Sequence, residues 1–243
     1  MTNRNARATA LLVPLLALGL AACAWAQENT LTAQEQAEGY ILLFDGQTTD
    51  GWDWAGDNWI VENGVLIGQG GGGMLVRQDQ WDNFILSVDL QVTPGANSGV
   101  FLRWKDLGDI LTGIEIQILD SAGHEPPNKY DCGAIYDIIA PWQNPMRPAA
   151  EWNTMKIVAV DSLVSVYLNG EPVSGMDLSR WTEAHRNPDG SENKFPVAYS
   201  TLVGPGHIGL QDHGMRIEFR NIKIKPLPTA DGPALPGPDG PTP

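Results

Sequence analysis

Alternating apolar and polar residues predict β-strands along most of this chain. In residues 84–92 every second side chain is apolar, so that one face of the segment is hydrophobic. Because successive residues of a strand point to opposite faces of a sheet, this pattern predicts a strand that is buried on one side. Residues 98–104 and 112–120 alternate in the same way, and the second is rich in β-branched side chains, which favour pleated structure.

Turn sequences separate further strands and define two hairpins. Asn63-Gly64 lies between the apolar segments 59–62 and 65–68, and Asn-Gly is the strongest short hairpin signal. A second hairpin is predicted over residues 154–168, and Asn169-Gly170 supplies the turn that follows it. The remaining predicted strands are residues 133–139, 207–211 and 217–225.

Two irregularities interrupt this pattern. Phe219 and Ile222 belong to opposite phases of the last strand, which predicts a bulge or bend near Arg220-Asn221. Residues 181–203 show no regular pattern, and an insertion of this length is typical of a functional loop or a partly disordered segment.

The strand pattern predicts an all-β fold in a single domain. Many short strands, Gly/Pro turns and no sustained helical periodicity favour a sandwich or jelly roll. We predict that the domain covers residues 39–227. Residues 27–38 are interpreted as a linker or short helical arm, and residues 228–243 as a disordered tail rich in Pro and Gly.

The N-terminus predicts export from a bacterial cell. Arg4 and Arg7 precede the short apolar run 11–22, as in a secretory signal, so we assign residues 1–26 to that signal. Two cleavage sites compete. Cleavage after Ala26 would release a periplasmic or secreted protein, whereas residues 20–23 resemble a lipobox that would make Cys23 the lipidated first residue, as in an outer-membrane lipoprotein. Both alternatives stay open.

Charge and cysteine content limit the partners and the type of scaffold. The net charge is −14, and removal of the signal leaves 13 basic and 29 acidic residues, or −16. Such acidity argues against nucleic acid and against anionic lipid surfaces as partners, so that membrane contact is expected only through a lipid on Cys23. Cys132 is the other cysteine, and we expect it to be buried rather than part of a disulfide framework.

Polar side chains of two predicted strands form a candidate site. Glu115 and Gln117 alternate with isoleucines, so they share one face of their strand. In residues 98–104 the alternation puts Trp104 in the core phase and Arg103 in the opposite phase. If the two strands are neighbours, Arg103, Glu115 and Gln117 line one sheet face; the alternatives are a solvated face and a surface ion pair.

Several motifs in a fixed order resemble one bacterial domain family. They are Leu43-Phe44-Asp45-Gly46, Gly51-Trp52, Asn97-Ser98-Gly99-Val100-Phe101-Leu102-Arg103, Glu115-Ile116-Gln117-Ile118-Leu119-Asp120, Gly133-Ala134-Ile135-Tyr136-Asp137, Glu151-Trp152-Asn153, Leu168-Asn169-Gly170, Gly209-Leu210-Gln211-Asp212-His213-Gly214 and Phe219-Arg220-Asn221-Ile222. The family is DUF1080, also described as the 3-keto-disaccharide hydrolase domain. The resemblance covers about residues 39–225.

The resemblance implies a fold and a reaction. The fold is a concanavalin A-like jelly roll of two curved antiparallel sheets, with carbohydrate bound on the concave face. The activity is cleavage of glycosides that a separate sugar 3-dehydrogenase has oxidised at C3. A ketone at C3 acidifies the C2 hydrogen, so a base can remove it and the C1 substituent can leave by elimination, with water adding afterwards. Such a site needs a base, a cation and an acid.

Candidate residues follow from this chemistry. Glu115 is the predicted base, Arg103 the group that stabilises the enolate, and His213 the acid or base, since histidine exchanges protons near neutral pH. A surface ion pair is the competing interpretation of Arg103, a structural turn residue that of His213, and a solvated loop residue that of His124. The predicted substrate-binding residues are Gln117, Asp212, His124, Tyr136 and Trp142.

A divalent metal ion is possible, and no nucleotide cofactor is expected. The candidate metal ligands are Glu115, Asp120, His124 and His213, although they show no tight ligand spacing. The glycine run 70–73 lacks the Lys-Ser/Thr of a phosphate-binding loop.

One rival hypothesis explains the acidity, the tryptophans and the export signal as well. It is a non-catalytic carbohydrate-binding or adhesion module on the same fold. It does not readily account for charged residues in the middle of strands, and the substitution Glu115→Gln separates the two hypotheses.

Overall fold

The computed structural model describes residues 28–53 and 56–228. Two antiparallel sheets contain almost all of its regular structure. Sheet A consists of β1 (Ile41–Leu42), β3 (Trp59–Glu62), β4 (Val65–Gln69), β6 (Asn83–Val92), β9 (Asn153–Val160), β10 (Leu163–Leu168), β11 (Glu171–Asp177) and β13 (Arg216–Leu227). Sheet B consists of β2 (Trp52–Asp53), β5 (Gly73–Trp81), β7 (Asn97–Trp104), β8 (Ile114–Leu119) and β12 (Gly206–Asp212).

Helical structure within the described residues is limited to short pieces. They are α1 (Ala33–Ala37) and the 3₁₀ turns Gly56–Asn58, Ile110–Thr112, Leu178–Arg180 and Tyr199–Leu202. The helix α1 lies in the segment interpreted as a linker or helical arm, and Thr32 and Glu35 cap its N-terminus reciprocally. No helix of the described chain is both long and apolar enough to span a bilayer.

The strand order brings distant parts of the chain together. Sheet A runs β11-β10-β9-β6-β13-β4-β3, with β1 also paired to β13, and sheet B runs β2-β5-β12-β7-β8. Apolar side chains of both sheets form one buried cluster, and β6 buries every second residue as predicted. The predicted all-β jelly-roll sandwich is therefore confirmed.

The predicted irregularity of the last strand is also confirmed. The register between β13 and β6 shifts between Arg220 and Lys223, and Asn221 adopts a φ of 51°. The extra residues allow both apolar phases of β13 to reach the core, because a bulge changes which face a strand presents.

The regular strand predicted over residues 133–139 was wrong. Ile135 forms only isolated bridges, to Ile116 and to Ile139. The segment nevertheless extends sheet B beyond β8, since the N–H groups of Gly133 and Tyr136 donate to the carbonyl oxygens of Gln117 and Glu115. The segment does not continue as a strand because residues 136–138 form a turn that pairs Ile135 with Ile139.

A bulge in β7 changes the predicted alternation. Arg103 has a φ of 49°, and the register between β12 and β7 shifts at the same level. Gly206 makes this bulge possible, because a Cβ atom there would collide with the backbone of Arg103. The phase of β7 therefore reverses at Arg103, so that Trp104 joins Phe101 in a small apolar cluster on the outer face of sheet B.

The predictions for the chain ends are not tested by the structure. The signal sequence assigned to residues 1–26, including Cys23, lies outside the described residues. The same is true of the predicted tail apart from its first residue, Pro228.

Candidate active site

A row of residues crosses the outer face of sheet B and centres on Glu115. The register pairs Gly209 of β12 with Phe101 of β7, and Phe101 with Glu115 of β8. Tyr136 continues the row, because its N–H donates to the carbonyl oxygen of Glu115 at 3.0 Å. Ile114 and Ile116, on either side of Glu115, face the core, which fixes the carboxylate on the outer side.

Glu115 is the least satisfied carboxylate of this face. It lies over Gly99, where an added Cβ atom would be 2.6 Å from Oε1. Its carboxylate accepts no hydrogen bond from any residue in 28–53 or 56–228. Burial raises its pKa from 4.5 to about 7, against the opposing effect of the positive charge of Lys194. A carboxylate of this kind can exchange a proton near neutral pH.

Lys194 comes from the irregular insertion and reaches the same site. Its Nζ atom lies 4.0 Å from the centre of the Tyr136 ring and 3.7 Å from Oδ2 of Asp137. Tyr199, from the end of the same insertion, is buried, and burial together with the nearby Glu115 and Asp137 raises its pKa well above the usual value. The insertion thus places a cation and a buried phenol near Glu115.

Asp137 has the opposite environment to Glu115. Burial by itself would raise its pKa, but hydrogen bonds from Lys129 and Tyr130 and the charges of Lys129 and Lys194 hold the pKa below its usual value. The Tyr130 hydroxyl donates to Asp137 Oδ1 at 2.9 Å. Two carboxyl groups near one lysine therefore have pKa values shifted in opposite directions, a difference typical of active sites.

Three carboxamide side chains lie beside Glu115 on the outer face, those of Asn97, Gln117 and Gln211. Gln117 Nε2 donates to Asn97 Oδ1 at 2.9 Å, and Gln211 lies on β12 opposite Met74. The Oε1 atoms of Gln117 and Gln211 are buried and have no hydrogen-bond partner in the described chain. Because buried carbonyl oxygens require donors, a bound ligand with hydroxyl groups would satisfy both.

The structure corrects the role predicted for Arg103. Its side chain is fully buried, and its guanidinium donates to the carbonyl oxygens of Asp161 at 2.5 Å and Asp82 at 3.2 Å and to Asn83 Oδ1 at 3.3 Å. The bulge in β7 turns the side chain away from Glu115 and toward turns of sheet A. Arg103 therefore ties the two sheets together and does not contact a ligand on the outer face.

Asp212 and His213 are not brought to Glu115 either. Asp212 is buried, and its Oδ2 accepts hydrogen bonds from the N–H groups of Gly70 at 2.9 Å and Gly71 at 3.1 Å. It therefore fixes the glycine-rich turn. His213 is exposed in the turn after β12, and its imidazole makes no hydrogen bond with a described residue.

The other predicted binding residues lie in different places. Tyr136 and Gln117 belong to the Glu115 site. His124 lies on the loop after β8, where its Nδ1 atom is 2.9 Å from Asp131 Oδ1. Trp142 packs against β11 of sheet A, with a ring atom 3.6 Å from the position of a Cβ on Gly175, and so does not join the site.

The predicted metal ligands do not form a cluster. Within 28–53 and 56–228 no group of three or more His, Cys, Asp or Glu side chains could hold a metal ion. Asp120 instead accepts a hydrogen bond from the N–H of Gly95 at 2.9 Å. Cys132 is fully buried, and burial raises the pKa of its thiol to about 12, which agrees with the structural role expected for it.

Sequence reasoning missed Lys194, Tyr199, Asn97 and Gln211. Lys194 and Tyr199 lie in the insertion whose length predicted a functional loop, but nothing in its pattern indicated which side chains face Glu115. Gln211 alternates with the buried Leu210 just as Gln117 alternates with Ile116. The alternation of β12 was therefore the signal that could have identified it.

The shifted pKa of Glu115 predicts a dependence of stability on pH. The folded protein keeps the Glu115 proton up to about pH 7, whereas the unfolded chain loses it near 4.5, so the free energy of unfolding falls as pH rises between these values. Glu115→Gln removes this loss. We expect its stability advantage over the wild type to grow by about 2–3 kcal/mol between pH 4 and pH 8, measured by urea denaturation. The exposed Glu171→Gln is the control, and equal pH profiles for all three proteins would contradict the shifted pKa.

Comparison with known proteins places these observations in context. The sequence model of one protein family, the 3-keto-alpha-glucoside-1,2-lyase-like domain, matches residues 39–225 of this chain. A Bacteroides thetaiotaomicron protein named 3-keto-disaccharide hydrolase is 32% identical over 241 residues, covering 83% of each chain. Crystal structures of two Parabacteroides distasonis proteins, provisionally named glycosyl hydrolases, superpose with a TM-score of 0.70 each. One is 35% identical and covers 77% of this chain and 99% of its own; the other is 27% identical and covers 83% and 100%. These similarities support a glycoside-cleaving role.

Proposed function

The chain belongs to the 3-keto-alpha-glucoside-1,2-lyase-like domain family, and from this premise we propose that it cleaves 3-keto-glycosides by removing the proton at C2. The bond between C1 and the glycosidic oxygen then breaks by elimination, and addition of water gives net hydrolysis. The names of the family and of the Bacteroides relative agree with this substrate class. The environment of Glu115 supports the reaction type.

The observation that carries the proposal is the state of the Glu115 carboxylate. It is partly buried, has no hydrogen-bond partner in the described chain, and has its pKa raised to about 7. A carboxylate bound by several N–H donors would be too weak a base to remove a proton from carbon, whereas desolvation makes Glu115 a stronger one. A general base is most effective when its pKa lies near the working pH.

Neighbouring side chains fit the other requirements of this chemistry. Removal of the C2 proton from a 3-keto sugar leaves negative charge on the C3 oxygen. Lys194 is the cation whose charge opposes the rise in the pKa of Glu115, and we assign its ammonium group to the stabilisation of that charge. The unpartnered oxygens of Gln117 and Gln211 can accept hydrogen bonds from sugar hydroxyl groups. Gly99 lacks a side chain, which lets a ring approach Glu115 closely.

Ordinary glycoside hydrolysis fits the site less well. It requires one carboxyl group as acid and a second as nucleophile or base on either side of the bond. Asp137 is the carboxylate that shares Lys194 with Glu115, but it already accepts a hydrogen bond from Tyr130 and pairs with Lys129. Of these two carboxylates of the described chain, Glu115 is therefore the one that is free to react, and a ketone-assisted route needs only one.

A product assay tests the proposal against both alternatives. Protein lacking residues 1–26 is mixed with α- and β-3-keto-glucosides that have a chromogenic leaving group, with the unoxidised glucosides as controls and with or without EDTA. We expect release from keto substrates alone, and inhibition by EDTA would identify a metal requirement. Equal release from unoxidised glucosides would indicate an ordinary glycosidase. Glycan binding without any release would indicate a binding module.

The substrate defines the setting in which this enzyme works. A 3-keto-glycoside arises by oxidation of the C3 hydroxyl group, so a separate sugar 3-dehydrogenase must act first. The signal predicted for residues 1–26 would bring the enzyme to the periplasm, the outer membrane or the medium. We therefore propose that the two reactions are coupled through a keto sugar that reaches the exported enzyme.

A further inference from the structure

His124 and Asp131 form an oriented pair on the loop that follows β8. His124 Nδ1 lies 2.9 Å from Asp131 Oδ1. Asp131 is fully buried, and its other oxygen accepts hydrogen bonds from the backbone N–H of Asn128 at 2.7 Å and from its Nδ2 at 2.9 Å. The carboxylate is thus held in place to accept a hydrogen bond from Nδ1–H, and this tautomer leaves Nε2 of the imidazole available for another partner.

The imidazole of the pair is exposed to solvent, although the carboxylate is buried. The side chain of His124 is 52% exposed, against 1% for that of Asp131. The imidazole of His124 makes one hydrogen bond within residues 28–53 and 56–228, and that bond uses Nδ1. Nε2 is therefore free to meet a ligand.

The loop places this pair at the Gln117 end of the Glu115 face. It leaves β8 after Leu119 and returns along β8, where the N–H of Gly133 donates to the carbonyl oxygen of Gln117 at 2.8 Å. Asp131 is two residues before Gly133, so it lies within about 7 Å of that point along the chain.

An aromatic contact connects the same loop to the centre of the site. The ring of Tyr130, next to Asp131, meets the ring of Tyr136 edge-on, with 5.7 Å between centroids. Tyr136 is in turn the neighbour of Glu115 across the strands. The loop that carries the His124–Asp131 pair therefore contacts the Glu115 site at two points, Tyr136 and Gln117.

We propose that His124, oriented by Asp131, is the acid that protonates the departing glycosidic oxygen. This inference rests on the proposed function. Elimination from a 3-keto-glycoside forms an alkoxide unless a proton reaches the oxygen as the bond breaks, and the leaving groups of natural glycosides are strong bases. Glu115 takes the C2 proton, Lys194 is assigned to the charge on the C3 oxygen, and Asp137 is held by Tyr130 and Lys129, so each of them already has a role or a partner.

The proton transfers balance over the cycle. The cycle starts with His124 as the imidazolium, with protons on both ring nitrogens. Glu115 takes the C2 proton, the C1–O bond breaks with its electron pair on oxygen, and Nε2 of the imidazolium gives that oxygen a proton. The products of this half are an alcohol and an unsaturated keto sugar with a C1=C2 double bond. When water adds to C1, Nε2 takes a proton from the water and Glu115 returns its proton to C2. The net reaction consumes one water and restores both side chains.

A series of leaving groups tests this role. The substrates are 3-keto-glucosides of 4-nitrophenol, which leaves without protonation, and of methanol, which does not. We expect His124→Asn to lower kcat/KM for the methyl substrate by about 100-fold or more and for the nitrophenyl substrate by less than about 5-fold. Asp131→Asn should show the same pattern, while the exposed His185→Asn should leave both values unchanged. His124→Gln serves if the first variant folds poorly.

Hydrogen exchange at C2 separates this inference from the proposed function. In D₂O, His124→Asn should still incorporate deuterium at C2 of the methyl substrate, because Glu115 continues to form the enolate. Equal losses on both substrates, with exchange intact, would overturn the role of His124 alone. A wild-type protein that neither exchanges the C2 proton nor cleaves any keto substrate would overturn the proposed function as well.

Discussion

Replacing Glu115 by glutamine is expected to lower kcat/KM for a 3-keto-glucoside by about 10³- to 10⁴-fold, the upper part of the range for loss of a general base. Glutamine has the same shape and keeps the contact over Gly99, but it cannot accept a proton at neutral pH. The loss should appear in kcat, because the amide still fills the same space and can bind a sugar hydroxyl. Steady-state kinetics with a chromogenic keto substrate measure it.

Control variants make this result specific. Glu171→Gln changes an exposed glutamate at the start of β11 and should retain wild-type kinetics. In D₂O, Glu115→Gln should also lose deuterium incorporation at C2, which a defect in leaving-group departure would not cause. A variant that keeps more than about a tenth of wild-type kcat would be incompatible with a base that supplies 10²- to 10⁴-fold.

The same group sets the pH dependence of the wild type. Since burial raises the pKa of Glu115 to about 7, the carboxylate form that acts as base decreases below that pH. For the 4-nitrophenyl substrate, which needs no acid for departure, we expect kcat/KM to fall about tenfold for each pH unit below 7 and to level off above it. A profile that is flat between pH 5 and pH 7 would exclude Glu115 as the base, whatever the effect of its substitution.

Local alternation was sufficient to predict the positions of Glu115 and Gln117. In β8 the isoleucines face the core, and the regular period of two then puts Glu115 and Gln117 side by side. The phase slip of β13 was also visible in the sequence, because both of its apolar phases had to be buried. Such features depend only on residues that are close together in the sequence, so they can be predicted from the sequence alone.

The positions of Lys194, His124 and Arg103 depend on contacts between distant segments. Lys194 belongs to an insertion without periodicity, and only the packing of that insertion beside residues 136–139 brings its ammonium group to Glu115. The orientation of His124 depends on Asp131 at the opposite end of an irregular loop. Arg103 was misplaced because its left-handed backbone reverses the phase of β7, and the glycine that permits this, Gly206, lies on another strand.

Replacing Arg103 by methionine therefore tests a structural role rather than a catalytic one. Methionine keeps most of the aliphatic stem but leaves the carbonyl oxygens of Asp82 and Asp161 without the guanidinium donor, while Asn83 Oδ1 keeps its bond from the Asp161 N–H at 2.8 Å. Leaving a buried acceptor without a donor costs about 1–3 kcal/mol, so for the two carbonyl oxygens we expect the free energy of unfolding to fall by about 2–4 kcal/mol. Urea denaturation measures the change.

The turnover of the folded fraction distinguishes the two roles. Well below the melting temperature, Arg103→Met should keep kcat within about twofold of the wild type, because the guanidinium is buried between the sheets and the site lies on the outer face. Arg103→Lys retains one donor and should lose less stability, which provides a usable variant if the methionine form unfolds. The exposed Arg180→Ala should change stability by less than about 0.5 kcal/mol. A large loss of kcat with unchanged stability would instead indicate a catalytic role for Arg103. That role would require its side chain to leave the interior when substrate binds.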